Sequence, residues 1–247
     1  MRTIRLFVDQ PLAIGDSIEL DERAHRHAIQ VLRLRPGARI TLFNGRGGEY
    51  QAEITLADKR RSAADIKAFE DRDTRPALSV TLVQGISRGE RMDFSLQKAT
   101  ELGVSRVVPI ITRHSQARGD ARRLANRHSH WQGVIISACE QCGRNELPIL
   151  EPATTLDQWL SDERDAYGGE ICGLVLDPQA DHGLGNMSPR GPVHLLIGPE
   201  GGLDDAEIAL ARRHGMHPVS LGPRILRTET AGIAALAVIQ ALWGDLC

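Results

Sequence analysis

Short strand-like runs fill the first seventy residues, with apolar and polar positions alternating in Ser17 to Leu20 and Glu49 to Thr55 and apolar positions prevailing in Arg5 to Val8 and Arg39 to Phe43, separated by glycines and prolines. Period-two alternation over such short runs predicts strands, and their close spacing predicts a small β-barrel. Asn44-Gly45-Arg46-Gly47-Gly48 lies between two of the runs, where glycine accepts the positive φ angles of a hairpin loop. The polar stretch Asp71 to Pro76 reads as a linker, dividing the chain into a first domain over 1–73 and a second over 76–247.

Beyond the linker the rhythm changes. Leu78 to Val83, Val107 to Ile111, Ile171 to Leu176, Val193 to Ile197 and Val219 to Leu221 are apolar runs of strand length. Between them, Arg91 to Leu102 reads as a helix closed by Gly103, and Arg122 to Cys142 as a longer one ending at Gly143. Strands alternating with helices predict an α/β domain built on a parallel sheet. The last helix, Ala231 to Trp243, is apolar nearly all the way round, so most of its surface must be covered. It can lie inside the monomer or against a second copy, and its small residues permit the close approach a homodimer needs.

Composition narrows the class of protein. No apolar run approaches the ~20 residues that cross a bilayer, and the opening MRTIRLFVDQ reads as a strand rather than a signal peptide, so a cytoplasmic protein is expected. Cys139, Cys142, Cys172 and Cys247 are too few and too unevenly placed for a disulfide framework and are expected as reduced thiols. Cys139 and Cys142 have C-x-x-C spacing, but no second ligand pair accompanies them, so no metal is expected. His25, His27, His214 and His217 read as surface or loop residues. The net charge of −2 conceals an asymmetry: +2 over residues 1–75, +5 over 76–127 and −9 over 128–247. Of the 30 basic residues only Lys59, Lys67 and Lys98 are lysines, and the arginines that make up the rest have planar forks suited to phosphate.

Candidate chemistry gathers near the C-terminus. The strand Val193 to Ile197 runs into Gly198-Pro199-Glu200-Gly201-Gly202, and a helix opens near Asp204. Strand, tight loop and helix N-terminus make a nucleotide-type site. Yet the loop lacks G-x-G-x-x-G spacing and has no following lysine, and Glu200 opposes a pyrophosphate. A phosphate-free ligand carrying positive charge fits better; a plain turn before a capped helix is the alternative. A second loop, Leu221-Gly222-Pro223-Arg224-Ile225-Leu226-Arg227-Thr228-Glu229-Thr230, again joins strand to helix. Gly222 permits close backbone approach, Ile225 and Leu226 can sandwich an adenine, and Thr228 or Thr230 can cap the last helix.

LIGPEGG followed by LGPRILRTETA resembles the S-adenosylmethionine signature of the knotted SPOUT methyltransferases. QKATELGV at Gln97 to Val104, EQCGR at Glu140 to Arg144, HAIQVLRLRPG and LFNGRGGEY extend the likeness over nearly the whole chain, which is similar to the RsmE family. Two stretches depart from it: Ser87-Arg88-Gly89, where a lysine before glycine is usual, and Thr112-Arg113-His114-Ser115, where the family often has TERS. The resemblance implies a PUA-like RNA-binding barrel followed by a SPOUT-type domain with a deep C-terminal trefoil knot through Pro223 to Thr230. It implies methylation of uridine N3 in 16S ribosomal RNA, within an assembled small subunit. The cofactor would meet Leu176, Ile197, Gly198, Pro199, Glu200, Gly201, Gly202, Leu221, Gly222, Ile225, Leu226, Arg227 and Thr230.

Methyl transfer to uracil N3 requires in-line positioning and loss of the N3 proton, which leaves negative charge on the flanking oxygens. Arg227 is the candidate to stabilise that charge. Glu101, Glu140 and Glu229 are candidates to accept the proton. Arg88, Lys98, Arg113, Arg118, Arg122, Glu140 and Arg144 are the expected RNA contacts, and with aromatics at only 4% the grip should be on phosphates rather than by base stacking. Two rival readings stand beside the methyltransferase: a noncatalytic RNA-binding module on the same fold, and a dinucleotide oxidoreductase, which the missing G-x-G-x-x-G disfavours. A related enzyme acting on a different RNA is a third.

Overall fold

The computed structural model describes residues 4–115, 120–167, 173–187 and 191–246. The chain gathers into two compact units, one of Met1–Arg75 with Ile136–Leu147 and one of Pro76–Ile135 with Pro148–Cys247.

In the first unit β1 (Ile4–Phe7), β2 (Ser17–Glu19), β3 (Arg39–Phe43), β4 (Glu49–Ala57) and β5 (Ser62–Glu70) form one sheet in the order β1-β3-β4-β5-β2. β1 runs parallel to β3, and the other pairs are antiparallel. Inward positions Leu6, Ile40, Leu42, Ile54, Ala64 and Ile66 are buried in one cluster. Helix α1 (Glu22–His25), capped by the Asp21 carboxylate, and the π-helical turn Arg26–Val31 add Ala24 and Ala28 to it. The alternation in β5 is carried by alanines and Ile66 against Asp65 and Lys67, too weak a signal to read before its partners are known. His25, expected at the surface, is buried, with Nδ1 2.9 Å from Ser62 Oγ. The stretch 136–147, distant in sequence, is held by polar anchors. Glu140 accepts from the Phe7 N–H and from Arg23, both at 2.9 Å, and the Asn145 N–H donates to Thr74 Oγ1 at 2.9 Å.

The second unit is a parallel sheet. β6 (Val80–Gly85), β7 (Arg106–Ile111), β8 (Ile149–Leu150), β9 (Thr154–Thr155), β10 (Gly173–Leu176), β11 (Val193–Ile197) and β12 (Met216–Val219) take the order β12-β10-β11-β6-β7-β8, with β9 also on β7. All pairings are parallel, as continuous apolar strands require when both faces are covered. The helices are α2 (Glu90–Glu101), α3 (Ala121–Cys142), whose residues from Ile136 on belong to the first unit, α4 (Leu156–Tyr167), α5 (Asp205–Arg213) and α6 (Thr228–Trp243). Trp159 and Leu160 of α4 and Ala211 of α5 pack with Val83, Val108, Val175 and Leu196 of the sheet. Two expectations shift. The strand sought at Val219 to Leu221 lies earlier, because Gly215 at φ +81° ends α5 and Met216–Val219 pairs at once with β10. The last helix begins three residues before Ala231 and buries Gly232, Ala235, Leu236 and Ile239, while Ile233, Ala234, Ala237 and Val238 stay half-buried.

Candidate functional site

Parallel strands deliver their C-terminal loops to one edge of the sheet, where such folds bind ligands. At the ends of β10, β11 and β12 the loops enclose a cleft of about 730 Å³. The loop after β11 supplies Gly198, Pro199, Glu200, Gly201 and Gly202; that after β12 supplies Leu221, Gly222, Ile225, Leu226 and Arg227; Leu176 and Ile197 line it from the strand ends. Glu229 lines it from the first turn of α6. Thr230, expected here, is not a lining residue: it is exposed on α6. A third wall, Asp177, Pro178 and Gln179 after β10, was missed, although the rule that every parallel strand ends at this edge could have found it.

Three glycines around the cleft are tightly packed, whereas Gly202 and Gly222 have open space where a Cβ would stand. A Cβ on Gly198 would lie 2.7 Å from the Leu203 nitrogen, and one on Gly201 would lie 2.8 Å from the His114 Cβ. Gly85 at the end of β6 presses equally closely on Pro199. The two main loops are joined by one hydroxyl: Thr228 Oγ1 donates to the Gly198 carbonyl at 2.6 Å and accepts from Gln84 Nε2 at 3.1 Å. Thr228 therefore does not cap α6; Arg227 occupies the N-cap position without a side-chain bond.

Glu200 accepts from the Arg88 N–H at 2.9 Å and from Arg91 Nη1 at 3.0 Å. Burial pushes its carboxyl up, but the Arg88 and Glu200 backbone N–H groups and Arg91 outweigh this and hold it below the usual carboxylate range. Its charge is paired, so Glu200 alone does not exclude phosphate as the sequence suggested. What the cleft offers is apolar lining from Leu176, Ile197, Ile225 and Leu226 together with the carboxylates of Glu200 and Glu229. Glu229 Oε2 is buried and, among the described residues, has no hydrogen-bond partner, an acceptor available to a ligand's donor or positive charge. That combination fits a sulfonium nucleoside.

The other predicted residues separate. Glu101 is paired with Lys98 at 2.8 Å at the end of α2 and does not line the cleft. Glu140, expected to touch RNA or take a proton, is buried and engaged by Phe7, Arg23 and His27 in the first unit, so it serves as an anchor there. Arg144 is half-buried in the same unit, its carbonyl accepting from Arg5. Arg88 and Arg122 are exposed, and Arg113, 70% exposed at its side chain, also binds Asp204 at 2.9 Å. Arg118, Cys172 and Cys247 lie outside the described residues. Burial pushes the Cys139 thiol up to about 12, so it stays protonated at neutral pH.

Comparison with known proteins follows this division. Residues 74–240 match the RNA methyltransferase domain family, and residues 20–67 match the RNA methyltransferase PUA domain. The chain is 31% identical to the ribosomal RNA small subunit methyltransferase E of Buchnera aphidicola, over 99% of this chain and 98% of that one. It is 29% identical to the protein of that name from Rickettsia conorii, over 100% and 98%. A crystal structure of ribosomal RNA small subunit methyltransferase E from Neisseria gonorrhoeae, bound to S-adenosyl methionine, superposes with a TM-score of 0.93 at 39% identity, covering 100% of both chains.

Proposed function

This chain belongs to the ribosomal RNA small subunit methyltransferase E family, and from that premise we propose that it methylates N3 of a uridine in 16S ribosomal RNA with S-adenosylmethionine. The observation that supports the reading most is the cleft at the ends of β10, β11 and β12, with its apolar walls and the Glu229 oxygen, unpartnered among the described residues. When bound there, S-adenosylmethionine supplies an electrophilic methyl group on sulfur. The chain's own residues hold it between the loops after β11 and β12, exclude water from the reacting centre and orient the base.

Glu229 accepts the N3 proton, since the other candidate carboxylates, Glu101 and Glu140, are engaged elsewhere. Arg227, exposed at the cleft, stabilises the negative charge left on the uracil oxygens. The proposal includes threading of Pro223 to Thr230 as a knot, a homodimer formed over the half-buried side of α6, and action in the cytoplasm on the assembled small subunit. Among the described residues no helix is long and apolar enough to cross a membrane.

The test is to incubate the protein with labelled methyl donor and small subunits lacking their modifications, then map the labelled nucleoside. Label in 3-methyluridine is expected. RNA binding without transfer would instead favour the noncatalytic reading. Glu229→Gln and Arg227→Ala are each expected to cut turnover by about 10²-fold or more. Arg227→Ala should leave cofactor affinity little changed, whereas Glu229→Gln, which removes the charge offered to the sulfonium, should weaken it as well. Retained turnover in either removes that residue's role.

A further inference from the structure

Two loops that carry candidate RNA-gripping arginines make the same bond to one short stretch of chain. After β6, the Arg88 N–H donates to Glu200 Oε1 at 2.9 Å; after β7, the Arg113 N–H donates to Glu207 Oε1 at 2.9 Å. Side chains reinforce both attachments, Arg91 to Glu200 at 3.0 Å and Arg113 to Asp204 at 2.9 Å. His114 fills the space beside Gly201 so closely that no Cβ fits there. Residues Gly198 to Gly202 are at the same time a wall of the cofactor cleft. The stretch from Gly198 to Glu207 thus faces the cofactor with one part and holds both arginine loops with another. Anchoring through the backbone N–H matters here, because it sets where the arginine starts and leaves the exposed Arg88 side chain able to reach a phosphate.

We propose that Glu200 and Glu207 are positioning residues that couple cofactor binding to RNA binding. A cofactor that orders the loop after β11 holds the loops bearing Arg88 and Arg113 in their gripping position, and by linkage RNA tightens the cofactor by the same factor. The inference rests on the functional reading above. If the bonds only brace the fold, losing them lowers stability or both affinities and leaves the coupling factor where it was.

The coupling factor is the ratio of affinities for unmodified 16S rRNA with and without saturating S-adenosylhomocysteine, which binds without reacting. For the unaltered protein a tightening of about 5-fold or more is expected, and for Glu200→Ala a factor below about 2. Glu200→Gln keeps an acceptor for the Arg88 N–H and should retain most of the effect. A measurement that needs no variant accompanies it: S-adenosylhomocysteine should slow hydrogen exchange at the Arg88 and Arg113 amides. Equal factors in the unaltered protein and Glu200→Ala, or unchanged exchange at both amides, would overturn the inference alone. Failure of the unaltered protein to bind either ligand would overturn the functional reading and the inference with it.

Discussion

Thr228 shows how much of the site hangs on single atoms. Its hydroxyl spans the Gly198 carbonyl and the Gln84 amide, so Thr228→Val leaves both buried groups short of a partner. A loss of about 1–3 kcal/mol is expected, read as a lower unfolding midpoint together with weaker cofactor binding by calorimetry; Thr228→Ser, which keeps the oxygen, should stay near the parent. Gly201 is constrained from the opposite direction. Adding a methyl group at 2.8 Å from the His114 Cβ forces one loop to move, so Gly201→Ala should weaken cofactor binding even where the fold survives. Glu140 is the residue whose role changed most between sequence and structure. As part of EQCGR it reads as an RNA contact, yet burial and bonds to Phe7 and Arg23 make it an internal anchor.

At the scale of elements, α5 and β11 carry separate tests. Asp204 accepts from the Glu207 N–H at 2.8 Å while Glu207 accepts from the Asp204 N–H at 3.0 Å, a reciprocal cap on the helix start. Asp204→Ala should cost about 1 kcal/mol in denaturant unfolding, and it also releases Arg113. On β11, His194 is buried with its ring 5.9 Å from that of Trp159 on α4. Burial lowers its proton affinity from the ordinary 6.5, Glu163 opposes that and Arg106 adds to it. The folded pKa lies below the unfolded one, so the unfolded chain takes up the proton first on acidification. The contribution of neutral His194 is therefore complete above 6.5 and is lost as the pH falls through the folded value. Denaturant unfolding should show a shallower loss of stability on acidification in His194→Gln than in the parent.

Across the whole molecule the uneven charge is the property with a measurable consequence. The +5 segment 76–127 contains Arg88, Arg113 and Arg122, whereas the −9 segment 128–247 contains most of the cofactor cleft. RNA affinity should fall steeply with salt, as counterion release demands, while S-adenosylhomocysteine affinity should change far less. A flat salt response of RNA binding would remove the phosphate grip.

The order of apolar runs was enough to establish the parallel α/β unit, because strands buried on both faces and helices with one apolar stripe leave a local signature. It also located the glycine loops after β11 and β12, whose backbone demands are local too. Tertiary structure alone decided the rest. β5 became visible as a strand only through its pairing with β4 and β2, and residues 136–147 join the first unit through bonds to residues far away in sequence, Phe7, Arg23 and Thr74 among them. Which of Glu101, Glu140 and Glu229 lines the cleft was likewise out of reach. A carboxylate's role depends on which cations and N–H groups surround it, and those come from segments far away in the chain.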